Sequence, residues 1–331
     1  MLEVQLLHTQ VSLLITNDNE SIMAAIVQRM DKAEALLNVL GDEASTEARY
    51  LYHRNKCRLF EYKHDFLNAL VHRLKSVDLS DSSSILKPDA LLYCEIALVY
   101  INIGRPSYAL LYTEKALMAD NNDSTLANRP HIKMTQATCY IFLGELDRAK
   151  LIYEESLARA KSLNHKMAIG TAIIDLGDIE LRKGHPEKAI KLFNQAEAHF
   201  GNSLDAFLRC LFLYMKAKCL LRLKKFDECE KIIKEGMALA NETGYEPYII
   251  CFKMIEHLIN IKNPESQKYL EQVAIPFLRN SNSAVRYEAL EICHILEAYY
   301  KKIRSKMKAL TMAAVARDIL HEMTFGCAPG I

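Results

Sequence analysis

Proline and glycine are scarce in this chain, at 8 and 11 of 331 residues. That argues against a loop-rich, low-complexity or fibrous protein and for one built of long regular elements. No run of about eighteen apolar residues occurs, and ALLYCEIALVYINIG carries Glu95 in its middle, so a membrane-spanning helix is excluded. Charge of neither sign prevails: 42 Lys and Arg against 41 Asp and Glu leave a formal +1, which gives no overall field for nucleic acid or an acidic membrane surface. The nine cysteines, at 57, 94, 139, 210, 219, 229, 251, 293 and 327, include no C-x-x-C pair. They are read as reduced thiols packed in the core of a cytoplasmic protein. The opening MLEVQLLHTQVSLLI has no basic leader or small-residue cleavage site, and its apolar spacing predicts a packed helix, not a signal peptide.

Catalytic signatures are missing as well. There is no H-E-x-x-H, no phosphate-binding Walker loop, no G-x-S-x-G and no dinucleotide fingerprint. The eleven histidines never pair at metal-ligand spacing, and His53, His64 and His72 are read as helix-surface or turn residues. The sequence therefore points to no enzyme, no cofactor and no metal.

Half the residues are hydrophobic and a quarter charged, ample for a buried core. At about twice the length of an ordinary domain, the chain is either two domains or an elongated array. The segment 170–196, GTAIIDLGDIELRKGHPEKAIKLFNQA, decides for the array. Ile173, Leu176 and Gly177 share one helical face, and Ala189, Phe193 and Ala196 share another. Gly184, His185 and Pro186 break the two helices, glycine suiting a left-handed stop and proline a helix start. Equivalent turns fall at His64, Gly104, Gly144 and Lys224, spaced by 40, and again at Arg304, with a degenerate turn near Pro264. Five residues after each marker stands Ala69, Ala109, Ala149, Ala189, Cys229 or Ala309. Seven before it stand Cys57, Ala97, Ala137, Gly177 and Ala217. Small residues at both places let paired helices approach closely. Four before the marker, Phe60, Tyr100, Tyr140, Leu220 and Tyr300 fill the gaps between hairpins, and only Glu180 departs from this.

This pattern of small residue, aromatic three later, turn and then alanine resembles the tetratricopeptide repeat. A period of 40 against that family's 34 implies helices longer by about a turn and a half per hairpin. The expected fold is an all-α, right-handed superhelical solenoid of about eight hairpins. Residues 1–40 are expected as a degenerate first hairpin, with a helix to about Ile15, a break at 17–19 and a second helix to about Leu40. Residues 41–322 form the array and 323–331 a tail. The loops at 79–89 and 121–130 are read as inter-repeat connections and not domain linkers, within one continuous solenoid. The segment YYKKIRSKMKAL sharpens the resemblance: Tyr299, Tyr300, Lys301, Lys302 and Ile303 match the closing repeat of the bacterial peptide-pheromone receptors of the Rap, NprR, PlcR and Rgg kind, with Arg304 where those receptors usually carry glycine.

The resemblance implies a short signalling peptide bound along the concave face, where the first helices of the hairpins lie. On the repeat register this face collects Arg54, Asn55 and Arg58; Leu98 and Asn102; Met134 and Thr138; Asp175, Asp178 and Arg182; and Tyr214, Lys218 and Arg222. In the receptors an asparagine two residues before the small site often holds the peptide backbone. Asn55 matches that position, whereas the central repeat has Asp175. The aspartates suit a peptide amine or basic side chain, and the basic residues suit ligand acids or a C-terminal carboxylate. Each also reads as an ordinary solvated helix face.

Transcription-factor members of the family place a helix-turn-helix ahead of the repeats, and residues 1–40 show none. Two expectations follow. One is a peptide-responsive regulator, as a monomer or a homodimer, that acts on a partner protein or on a fused or separate DNA-binding domain. The other is a constitutive scaffold for protein partners.

Overall fold

The computed structural model describes residues 20–63, 65–81, 89–120, 129–201, 206–280 and 286–325. All regular structure in them is helical. The chain divides into two compact units, with the boundary between Leu126 and Ala127.

The first unit holds α1 (Glu20–Leu40), α2 (Thr46–Tyr62), α3 (Phe66–Asp81), α4 (Ala90–Asn102) and α5 (Pro106–Asp120). Helix α1 ends at Leu40, where the first hairpin was expected to end, while the expected helix to Ile15 and the break at 17–19 lie outside the described residues. Helix α2 starts at the Ser45 cap, whose hydroxyl accepts from the Ala48 N–H at 3.2 Å, and α4 starts at Asp89, which accepts from Leu92 N–H at 2.6 Å.

The second unit holds α6 (Arg129–Phe142), α7 (Leu146–Ser162), α8 (Lys166–Arg182), α9 (Pro186–Phe200), α10 (Ala206–Arg222), α11 (Phe226–Thr243) and α12 (Glu246–Ile259). It continues with α13 (Pro264–Tyr269), a π-helical turn (Leu270–Ala274), α14 (Ile275–Asn280), α15 (Arg286–Lys302) and α16 (Lys306–Phe325). Consecutive helices pack in pairs throughout, so each unit is built of tetratricopeptide-like hairpins.

The backbone reproduces the 40-residue register. Gly104, Gly144 and Gly184 have φ of 72°, 82° and 82°, and the markers without glycine, Lys224 and Arg304, adopt φ of 59° and 61°. Each of these turns closes in the same way. At Gly184, its N–H donates to Leu181 O at 3.0 Å and the His185 N–H donates to Glu180 O at 2.9 Å, which caps the last carbonyls of α8 before the chain reverses. Marker His64 lies outside the described residues.

The small positions explain the close pairing. Ala69, Ala109, Ala149, Ala189 and Cys229 are fully buried, as are Cys57, Ala97, Ala137 and Ala217. Gly177 shows why: a Cβ there would stand 2.6 Å from the Phe193 ring of α9. The exception at Glu180 also has a cause. Its buried carboxylate accepts from Lys150 of α7 at 2.6 Å and contacts His185 Nδ1 at 2.9 Å, so a partly buried ion pair fills the gap that a large apolar or aromatic side chain fills elsewhere. The degenerate repeat near Pro264 has a second helix interrupted by the π-turn, and Asn263 caps its start through Glu265 N–H at 3.0 Å.

The eight described cysteines are free and buried. Burial pushes the thiol pKa of Cys210 and Cys229 up to about 11 and that of Cys219 and Cys293 up to about 12. Among the described residues no helix is long and apolar enough to cross a membrane.

Candidate functional site

The second unit contains a cleft of about 690 Å³, within the range of small-ligand pockets. One wall is formed by the C-terminal ends of successive first helices: Ile141 of α6, Arg182 of α8, Leu221 and Arg222 of α10, and Leu258 of α12, with Leu146 and Ile261 beside them. The opposite wall is α15, whose Tyr287, Glu291, His294 and Ala298 recur at helical spacing and face the cleft with Glu288 and Ile295. Phe142 at the end of α6 stacks on Tyr287, with ring centroids 4.0 Å apart.

Charge in this cleft is paired. Lys218 Nζ lies 3.0 Å from Glu288 and 2.7 Å from Glu291, and Arg222 lies 2.7 Å from Glu291 while donating to the Leu181 carbonyl at 2.8 Å. Tyr214 donates to Glu288, and Arg182 Nε lies 2.7 Å from Asp178. Burial opposes the charge on Lys218, and the two glutamates more than offset it, so its pKa stands above the usual lysine range. Burial likewise raises Glu291, but Lys218 and Arg222 outweigh it and hold its pKa near 2.

A second polar cluster adjoins Asp178. Thr138 and Tyr153 exchange a hydrogen bond at 2.5 Å, and Tyr153 also bonds Asp175. Enclosure by protein, together with nearby Asp178, pushes the Asp175 carboxyl up to about 7 although its bond to Tyr153 works against this.

The structure therefore gathers Asp178, Arg182, Tyr214, Lys218 and Arg222 at one place, with Asp175 and Thr138 adjoining. Arg182 and Arg222 line the cleft; Tyr214, Lys218 and Met134 are buried. Arg54, Asn55, Arg58, Leu98 and Asn102 belong to the first unit. Arg54 and Arg58 pair with Glu95 at 3.1 and 3.7 Å, beside the buried Arg73, and Asn55 is buried at 2% exposure. Leu98 and Asn102 are half-buried on α4. Glu288, Glu291 and Tyr287 escape the sequence reading. Their spacing marks them as one face of a helix, but Lys218, which meets Glu288 and Glu291, lies some 70 residues earlier, and Phe142, which stacks on Tyr287, lies further back still, beyond any local period. His53 and His72, read as helix-surface or turn residues, lie on α2 and α3 as half-buried rings whose Nδ1 atoms stand 2.8 Å apart.

A tetratricopeptide-repeat family model matches residues 130–200. No curated protein matches in sequence. A solved Rap protein complexed with competence and sporulation factor superposes with a TM-score of 0.73, at 14% identity over 97% of this chain and 98% of that one. This chain has the Rap fold. NprR in complex with its cognate peptide NprX shares that fold, with a TM-score of 0.71 and 18% identity over 90% of this chain and 83% of NprR. Aspartyl phosphate phosphatase F from Bacillus subtilis shares it too, with a TM-score of 0.64 and 14% identity over 96% and 92% of the two chains. The Rap fold thus accounts for the full run of described helices, well beyond the segment that the family model detects.

Proposed function

We propose that this chain is a regulator that binds a short signalling peptide in the cleft between α15 and the ends of α6, α8, α10 and α12. The observation that carries the reading is the cleft itself, an open apolar trough with a row of paired charges along its floor, in a fold whose solved examples include a Rap protein with competence and sporulation factor and NprR with its cognate peptide. Ile141, Leu221, Leu258 and Ile295 offer apolar contacts, while Arg182 and Arg222 offer donors for a peptide carbonyl or carboxylate. Binding changes how α15 sits against α10, which alters the surface offered to a partner protein or DNA-binding domain.

Mass spectrometry of the protein purified from its native host tests the reading, the expected result being a co-purifying peptide of a few residues. Arg222→Ala should weaken binding of that peptide about tenfold, in the range of one lost charge-assisted hydrogen bond. Unchanged affinity in calorimetry would remove Arg222 from the site.

A second reading, a phosphatase acting on a partner protein, is favoured by the fold shared with aspartyl phosphate phosphatase F. Release of inorganic phosphate from a phosphorylated partner would select it.

A further inference from the structure

A separate cleft of about 320 Å³ opens in the first unit between three helices, lined by Glu34, Asn38, Arg49, Tyr52, His53, His72 and Lys75 among others. We propose that this cleft is a binding site for a tetrahedral oxyanion of the phosphate class, received by the His53 and His72 rings together with Lys75 and Arg49. It lies apart from the peptide cleft and does not rest on that reading.

The cluster is short of negative charge. Glu34 is the acid that lines it, and Lys56 holds that carboxylate at 2.8 Å. Arg49 is fixed by donating to the Gly41 and Ala44 carbonyls and has no acidic partner among the described residues. The exposed Lys75 likewise has no ion pair among them. The Nδ1···Nδ1 contact at 2.8 Å requires one ring to donate and the other to accept; the accepting ring then carries its proton on Nε2 and can donate it to an anion, and the donating ring's Nε2 does so once that ring takes up a proton. Among the described residues no third His, Cys, Asp or Glu joins the pair as a metal-ligand group, and the surrounding cations disfavour a metal ion. A phosphate has more acceptor oxygens than a carboxylate, which suits donors converging from α2 and α3. The volume also admits the group that carries the phosphate.

Electrostatics couple such binding to protons. Burial and the neighbouring charge, from His72, Lys75 and Arg49 at His53 and from Lys75 and Lys56 at His72, keep both rings neutral down to about pH 4. Glu34 on α1 opposes this weakly, and the Tyr52 phenol, raised by burial, Glu34 and Asp31, stays uncharged. An anion among these cations reverses the balance and favours ring protonation, so binding draws a proton toward the ring pair.

The test is a titration of the full chain with inorganic phosphate at about pH 6 and about pH 8, followed by calorimetry and by NMR of the histidine rings. A parallel arm uses a phosphoserine peptide. Expected are saturable binding at both pH values, with the His53 and His72 resonances moving together. Lys75→Ala, at an exposed position that does not bear on folding, and His72→Gln should each weaken it about tenfold. Tighter binding in the peptide arm assigns the site to a phosphorylated side chain, and tighter binding in the other to the free ion. Ring shifts that match those in chloride of equal ionic strength, or a Lys75→Ala variant that binds phosphate as the parent does, would overturn the proposal.

Discussion

Gly177 leaves the Phe193 ring space against the backbone of α8, with 2.6 Å to an added Cβ. Gly177→Leu should lower stability by about 3 kcal/mol or more, measured as the denaturant midpoint, while Gly177→Ala should cost less. The left-handed turns give the opposite case. Lys224 has φ of 59°, a conformation that costs a side-chain-bearing residue about 1–2 kcal/mol. Lys224→Gly should therefore stabilise by about 0.5–1 kcal/mol after the greater freedom of glycine in the unfolded chain is subtracted. Arg304→Gly should do the same.

Between elements, buried polar groups set the pH response. The folded pKa of Asp175, about 7, stands above the ordinary aspartate value of 3.8, so the folded state holds a proton that the unfolded state has lost across that window. Its contribution is fully present below about pH 4 and is lost as pH rises through about 7. Asp175→Asn should flatten that decline and raise stability at pH 8, each tenfold change in proton affinity being worth about 1.4 kcal/mol; thermal melts across the window check it. Glu180 is displaced the other way, lowered chiefly by the Lys150 hydrogen bond with His185 assisting. Its stabilisation is present above the ordinary carboxylate range and lost as pH falls through its folded pKa. Much of this scale was legible in the sequence. The turn spacing, the small positions and the helix ends follow from periods and caps that act within one hairpin, and Gly177 and Phe193 could be paired on those grounds. Glu180 looked like a lapse in the pattern because the period records a side chain's size and not the Lys150 that meets it from another helix.

Across the whole molecule local periodicity falls silent. Lys218 and Arg222 were visible as basic groups on an inward face, yet nothing near them in sequence announces Glu288 and Glu291 on α15. Removing one partner strands a buried charge, so Lys218→Met should cost about 3–5 kcal/mol, measured by chemical denaturation, and replacing Lys218, Glu288 and Glu291 together by apolar residues should recover most of it. The same distant contacts set the width of the cleft. The wall formed by the first helices could be located from the repeat register; the facing wall needed the folded chain.

The buried thiols offer one more consequence. Cys57 and Cys94 stand in two hairpins of the first unit, and Cys139, Cys210, Cys219, Cys229, Cys251 and Cys293 are spread over the second. A thiol that is shielded and held in its protonated form reacts with an alkylating reagent only while its own hairpin is open. Pulse alkylation read by mass spectrometry would therefore time the opening of successive hairpins in a protein that carries only its native cysteines. Ligand binding in the cleft should slow Cys219 and Cys293 and leave Cys57 at its original rate.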